Sequence, residues 1–280
     1  MDKKKIIAAV VLLPIFIWLI GWAPIWLLKV IVLVLGAGLG GWESARLAFG
    51  ENEQKYRRVG ALFSVFLCYF VASGNGAVAL AGLAFVFMVA FTVSTVFLPD
   101  LSLTLARAAK LMFVAIYPGL LCGYLLATKE YEVCEHGSKL LLMLFALVWI
   151  NDAGAYFAGK SLGKRKFAPV ISPNKTWEGA IGGFLATVIL GMFIGGYSSI
   201  FTFRQGLFLG VLLGVIAPIG DLLESAIKRG AGVKDSGTLL PGHGGVLDRI
   251  DSVIFCAPVF YFYVFHMQHA PILRMLNDVW

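Results

Sequence analysis

The sequence predicts an all-α fold, a polytopic integral membrane helical bundle of about nine transmembrane helices. Three observations carry this expectation. Hydrophobic residues fill 59% of the 280 positions and charged residues only 14%, where a soluble domain is about 25% charged. Apolar stretches of about 17–25 residues, long enough to cross a hydrocarbon core, recur from one end of the chain to the other. The period-two alternation of a transmembrane barrel strand is absent.

Taken in order, the first element is the opening "MDKKKIIAAVVLLPIFIWLIGWAP". It has the basic start and apolar run of a signal peptide. No A-x-A cleavage site follows and a second apolar run begins at once, so it reads as an uncleaved span over 6–21. Further spans are expected over 24–42, 59–72, 77–98, 107–127, 140–160, 176–197, 206–228 and 246–267. Trp18, Trp22 and Trp26 fit an interfacial belt. Glu43 and Arg46 read as an ion pair at the end of the second span. "SPNKTWEG" reads as the start of the seventh, with Ser172 at the N-cap and Pro173 at the first helical position. No period of about 20–50 residues repeats, and no linker divides the chain. Residues 1–140 are expected to form N-terminal membrane helices and 141–280 the helices that carry the chemistry, within one continuous membrane domain.

Parity gives each connection a side. With "MDKKK" held in the cytoplasm, the inside segments include "ESARLAFGENEQKYRR", "KSLGKRKFAPVISPNK" and "KRGAGVKDSGTLLPGHGG". The outside segments are "SGNG", "TKEYEVCEHGSK" and "SSIFTFRQ", with the C-terminus also outside. All of the 23 lysines and arginines except Lys29, Lys129, Lys139, Arg204 and Arg274 then fall on or near the cytoplasmic side, as the positive-inside rule requires. The same rule accounts for the net charge of +7 without a nucleic-acid partner. Cys68, Cys122, Cys134 and Cys256 lack metal-ligand spacing and indicate neither a zinc site nor a disulfide framework.

Charge inside the spans is concentrated at one depth. Asp152 lies near the cytoplasmic end of the sixth span, Asp221 and Glu224 near that of the eighth, and Asp248 and Asp251 open the ninth. Asp248 and Asp251, three residues apart, share a helix face, as do Asp221, Glu224 or Ser225, and Lys228. An acid within a span costs about 2.5–3.5 kcal/mol on insertion scales, and neighbouring carboxylates repel unless a cation lies between them. Oxygen ligands from several helices suit Mg²⁺, which takes one or two carboxylates together with substrate phosphates. The candidate metal ligands are therefore Asp152, Asp221, Asp248 and Asp251.

The adjoining loops are suited to phosphate. "PGHGG" lets backbone N–H groups approach an anion, and Lys228, Arg229, Lys234 and Arg249 add cationic donors. Lys175 is expected at the positive end of the seventh helix. His243 reads as a donor to phosphate or a support of the glycine turn rather than a general base, because a phosphate monoester with a second pKa of about 6 is already largely ionised. Asn151 reads as a helix hydrogen bonder.

The run from Ser225 to Asp251, "SAIKRGAGVKDSGTLLPGHGGVLDRID", resembles the signature of phosphatidate cytidylyltransferases (CDP-diacylglycerol synthases). The signature reads Ser-x-apolar-Lys-Arg, four residues, Lys-Asp, then Pro-x-His-Gly-Gly-x-x-Asp-Arg-x-Asp, and every defining position is matched. "SPNKTWEG" and "NDAGAYFAGK" also resemble family segments, so the resemblance runs over about residues 149–251. One departure is Ala153, where many relatives carry Ser or Thr.

The resemblance implies Mg²⁺-dependent transfer of CMP from CTP to phosphatidic acid, giving CDP-diacylglycerol and pyrophosphate. It implies catalytic roles for Asp221, Lys228, Asp248 and Asp251. Substrate contacts would fall to Ser172, Lys175, Arg229, Lys234, Asp235, His243, Gly244, Gly245 and Arg249. The expected setting is a bacterial inner membrane with the site on the cytoplasmic side, and the reading leaves room for a homodimer. A CTP-dependent lipid kinase and a cation-coupled transporter are the rival readings. A transporter would set its acids near the midplane among inverted repeats, whereas these lie near one face. The D-G-x-x-A-R…G-x-x-x-D-x-x-x-D pattern of CDP-alcohol phosphotransferases is not present in the chain.

Overall fold

The computed structural model describes residues 14–51, 53–96, 101–130, 137–237 and 244–269. These residues form nine helices: α1 (14–21), α2 (Ile25–Phe49), α3 (Gln54–Ala72), α4 (Gly76–Val96), α5 (Leu101–Lys129), α6 (Gly137–Leu162), α7 (Trp177–Tyr197), α8 (Phe203–Gly230) and α9 (Leu247–His269). Each expected span thus has its helix. Six of them, α2 and α4 to α8, are long and apolar enough to cross a membrane by themselves. The others have local reasons to fall short: α3 begins with Gln54, Lys55, Arg57 and Arg58, α9 begins "LDRID", and only eight residues of α1 are described. The chain is a polytopic helical membrane protein, as its composition requires.

The contacts between helix ends agree with the parity argument. At one end, Lys29 of α2 pairs with Glu130 after α5, and Lys129 reaches Ile20 of α1 and Ser138 of α6. Tyr261 of α9 donates to Gly74 O between α3 and α4 at 3.0 Å, and Tyr263 donates to Gln205 O at the start of α8 at 2.9 Å. Every one of these groups belongs to the side assigned outside. The acids predicted to share a depth gather at the opposite end.

The seventh span begins differently from the sequence expectation. Ser172–Thr176 is a strand, β2, paired antiparallel with β1 (Lys166–Ala168), with Lys166 opposite Thr176 and Ala168 opposite Ser172. Ser172 is therefore not the N-cap and Pro173 is not the first helical residue. Thr176 is the cap, in extended conformation, its Oγ1 accepting from Gly179 N at 3.2 Å. The competing donors explain the shift. Trp177 N bonds Arg165 O at 3.0 Å, and the Glu178 carboxylate accepts from Lys164 N and Arg165 N, so Trp177 and Glu178 are tied to the strand opposite and the helix begins only there. Pro173 is tolerated because the two-stranded ribbon is all edge.

α6, α7 and α8 form the scaffold of the charged end. A Cβ on Gly206 of α8 would stand 2.2 Å from Gly191 O of α7, so glycine lets the two backbones touch, the usual basis of helix association in lipid. Pro218 interrupts α8, and having no N–H it frees the carbonyl of Gly214 four residues back. Asn151 of α6 fills that vacancy. Its Nδ2 donates to Gly214 O at 3.2 Å and to Thr187 Oγ1 of α7 at 3.0 Å, tying three helices at one buried point. The buried core is continuous from Ile20 in α1 to Val264 in α9.

Candidate active site

The ends of α2, α6, α8 and α9 opposite the Lys29–Glu130 pair, together with β2 and the segment after α8, converge on a cluster of charge. Lys228 is its centre. One turn after Glu224 on α8, it sets Nζ 3.0 Å from Glu224 Oε2 and 2.6 Å from Asp248 Oδ1 at the start of α9. The three side chains are 11%, 1% and 7% exposed. Beside them, Lys175 of β2 stands 2.6 Å from Asp221 Oδ2, and Ser225 Oγ donates to Asp221 Oδ1 at 3.4 Å. This second pair is more open, at 25% and 36%.

Asp248 also holds the loop. Its Oδ2 accepts from Gly245 N at 2.7 Å and from Ser236 N and Oγ at 3.0 Å each. Gly244, at φ +79°, makes the left-handed turn that aims Gly245 N at the carboxylate, a conformation that favours glycine. The glycines singled out in the sequence thus cradle an anion, and the anion they cradle here is the protein's own aspartate.

Asp152, Asp221 and Asp251 lie close enough to repel one another. Asp251 also meets Glu224 side chain to side chain, while Glu224 Oε1 is buried without a hydrogen-bond donor. Two carboxyl groups in contact require a shared proton or a cation, so the chemistry of this donor set fits a hard divalent ion. Among the described residues no three carboxylate, imidazole or thiolate groups are arranged as a ready metal cage.

Two cavities meet at Asp152. One, of about 530 Å³, is lined by Asn151, Asp152, Tyr156, Lys160, Asn174, Lys175 and Asp221 among others. The other, of about 590 Å³, has apolar walls that include Phe16, Leu28, Leu35, Leu141, Phe145 and Trp149, and a charged floor of Asp152, Asp248, Arg249 and Asp251.

Of the residues expected to act, Asp152, Lys175, Asp221, Lys228, Gly244, Gly245, Asp248, Arg249 and Asp251 come together in this region. Arg229 is used differently: Nε donates to Ile171 O at 3.3 Å and Nη1 to Val233 O at 3.1 Å, tying the hairpin turn to the loop. Lys234 and Asp235 are exposed, and Ser172 sits in β2. His243 lies outside the described residues.

Three residues escaped the sequence reading or were undervalued. Glu43 and Arg46 are not a simple helix-end pair. Glu43, 6% exposed, accepts from Val246 N and Leu247 N and lies 3.0 Å from Ser236 Oγ, and Arg46 Nη2 donates to Ser236 O at 2.7 Å. Ser236 joins Glu43 to Asp248. The available signal was an acid inside an apolar span, which is costly without a partner.

Fold and site together define a helical membrane protein that brings lysine and carboxylate side chains from several helices to one end of the bundle. The sequence comparisons make the class specific. A model of the cytidylyltransferase family matches residues 3–267, and the chain belongs to that family, whose members are nucleotidyltransferases. It is 40% identical over 225 residues to the phosphatidate cytidylyltransferase of Haemophilus influenzae, covering 76% of this chain and 75% of that one. Identity to the Bacillus subtilis phosphatidate cytidylyltransferase is 37% over 195 residues, 69% of this chain and 70% of the relative. It is also 50% identical over 130 residues to the uncharacterized protein YnbB of Escherichia coli K12, a match that spans 46% of this chain and 44% of YnbB.

Proposed function

We propose that this protein is a phosphatidate cytidylyltransferase, transferring CMP from CTP to phosphatidate to give CDP-diacylglycerol and pyrophosphate, at the cytoplasmic face of a bacterial inner membrane. The observation that carries this reading is the meeting of two cavities at Asp152, one lined by lysine and asparagine side chains and the other walled by apolar side chains over a charged floor. The cavity that holds Lys160, Lys175 and Asn174 suits the phosphates of a soluble nucleotide, and the apolar-walled cleft with Arg249 on its floor suits a membrane lipid with an anionic head. The names of the Haemophilus and Bacillus relatives support the same substrates.

A phosphate oxygen of phosphatidate would attack the α-phosphorus of CTP in line. The bond from the α-phosphorus to the oxygen bridging to the β-phosphorus breaks, and pyrophosphate leaves with the electron pair. No general base is needed for a nucleophile already ionised near neutrality. The work is positioning and charge neutralisation: Lys175, on the cavity wall, would meet the added negative charge, Lys228 holds Glu224 and Asp248 in place, and the Asn151 tie keeps α6, α7 and α8 in register. Asp152, Asp221 and Asp251 would hold Mg²⁺, one ion or two. Asp248 would take part through water, or directly by giving up one of its protein donors. Bound there, the ion would neutralise phosphate oxygens and favour the departure of pyrophosphate.

The experiment is transfer of label into the lipid phase by purified protein with phosphatidate and Mg²⁺, from α-³²P-CTP and from γ-³²P-CTP in parallel. Label entering only from the α position, and lost in Asp248→Asn, is the expected result. Label from the γ position would mean a CTP-dependent lipid kinase. Absence of transfer by folded protein would return the acid cluster to the transporter reading.

A further inference from the structure

Glu43 belongs to the part of the chain in which no catalytic motif is legible, yet it touches the loop that holds Asp248. Its Oε1 accepts from Val246 N at 3.0 Å, and its Oε2 accepts from Leu247 N at 2.9 Å and lies 3.0 Å from Ser236 Oγ. Val246 and Leu247 are at the N-terminus of α9, where amides have no intrahelical acceptor and an anion is favoured by the helix dipole. A carboxylate from α2, some 204 residues away along the chain, therefore performs the capping that a side chain just before α9 would ordinarily supply.

The fit excludes larger residues. A Cβ on Gly237 would stand 2.2 Å from Glu43 Oε1, and one on Gly245 would stand 2.4 Å from Glu43 Oε2. Glu43 and Asp248 also grip the same segment from two sides, since Ser236 Oγ lies 3.0 Å from an oxygen of each and has one proton to give. Arg46, one turn on, fixes the Ser236 carbonyl. Loosening Glu43 would free Ser236 and Gly245, the donors that hold Asp248 against Lys228.

We propose that Glu43 is a positioning residue for the reaction: by capping α9 and holding Ser236, it sets the place of Asp248 relative to Lys228 while touching no substrate itself. This rests on the transferase reading for its activity arm alone. The test uses the full chain in lipid nanodiscs, comparing Glu43→Gln, Glu43→Asp and, as a control away from the site, Glu53→Gln, whose partner is Arg107.

Glu43→Gln keeps size and loses the charge-assisted bonds, each worth about a tenfold or larger factor. Hydrogen exchange in the peptide carrying Val246 and Leu247 should quicken about tenfold, with exchange in α6 and α7 unchanged. Turnover per folded molecule should fall about tenfold with KM for phosphatidate unaltered. Glu43→Asp should recover part of both effects, and Glu53→Gln should show neither. Unchanged exchange at the start of α9 in Glu43→Gln would overturn the proposal. So would an even rise across the whole molecule with turnover per folded molecule intact, the mark of a purely structural role. If wild-type protein transfers no CMP, the transferase reading fails, and the exchange arm still decides whether Glu43 holds the Asp248 loop.

Discussion

Replacing Lys228 by Met tests the electrostatic account most directly. Lys228 is the cation 3.0 Å from Glu224 and 2.6 Å from Asp248, in surroundings that leave those carboxylates 1% and 7% exposed. Met preserves most of the volume and removes the charge. Breaking a buried pair by deleting one partner costs about 3–5 kcal/mol, because the remaining charge is left uncompensated. Asp248 retains the Ser236 and Gly245 donors, so the loss should lie at the low end, about 3 kcal/mol. At about 2–4 °C per kcal/mol for a chain of this size, that is a fall of about 6–12 °C in Tm. Lys175→Met provides the contrast. Its pair with Asp221 is 25% and 36% exposed, and pairs open to solvent contribute about 0.2–1 kcal/mol, so Tm should move by less than about 4 °C. Both variants should lose transferase activity. The assay is heating of detergent-solubilised protein followed by fluorescence-detected size exclusion. Adding Glu224→Gln to Lys228→Met should recover part of the lost Tm, since it removes one of the stranded charges. A Lys228→Met protein that melts with wild type, or no differently from Lys175→Met, would refute the idea that Lys228 neutralises a buried carboxylate pair.

Two further outcomes are expected from the same geometry. Gly245→Ala should abolish CMP transfer, because the new Cβ would stand 2.3 Å from Ser236 Oγ and 2.4 Å from Glu43 Oε2; the α-³²P-CTP assay measures this, and wild-type turnover would contradict the observed loop packing. Leu35→Trp, on the wall of the apolar cleft, should raise KM for phosphatidate severalfold and leave KM for CTP unchanged. An unaltered phosphatidate KM would exclude that cleft as the lipid site.

The sequence by itself determined that the chain crosses a membrane, which helix ends share a side, and that acids from α6, α8 and α9 meet there. These are sums over local properties: hydropathy accumulates along about 20 residues, and carboxylates three or four residues apart share a helix face whatever the helix packs against. The signature from Ser225 to Asp251 was legible for the same reason, being contiguous. Only the tertiary structure decided which charge meets which. Glu43 could not be joined to Ser236 from spacing, because the two are 193 residues apart and their contact depends on how α2 sits against α9. Arg229 looked equivalent to Lys228, yet one residue further along α8 turns it about 100° away, towards Ile171 and Val233. The hairpin that displaced the start of α7 rests on a three-residue strand, too short to leave a periodic signal. Side-chain pairing is settled at the ångström scale by how closely helices approach. That approach is set by contacts such as Gly206 against Gly191, whose partners lie on separate helices and become neighbours only once the bundle has formed.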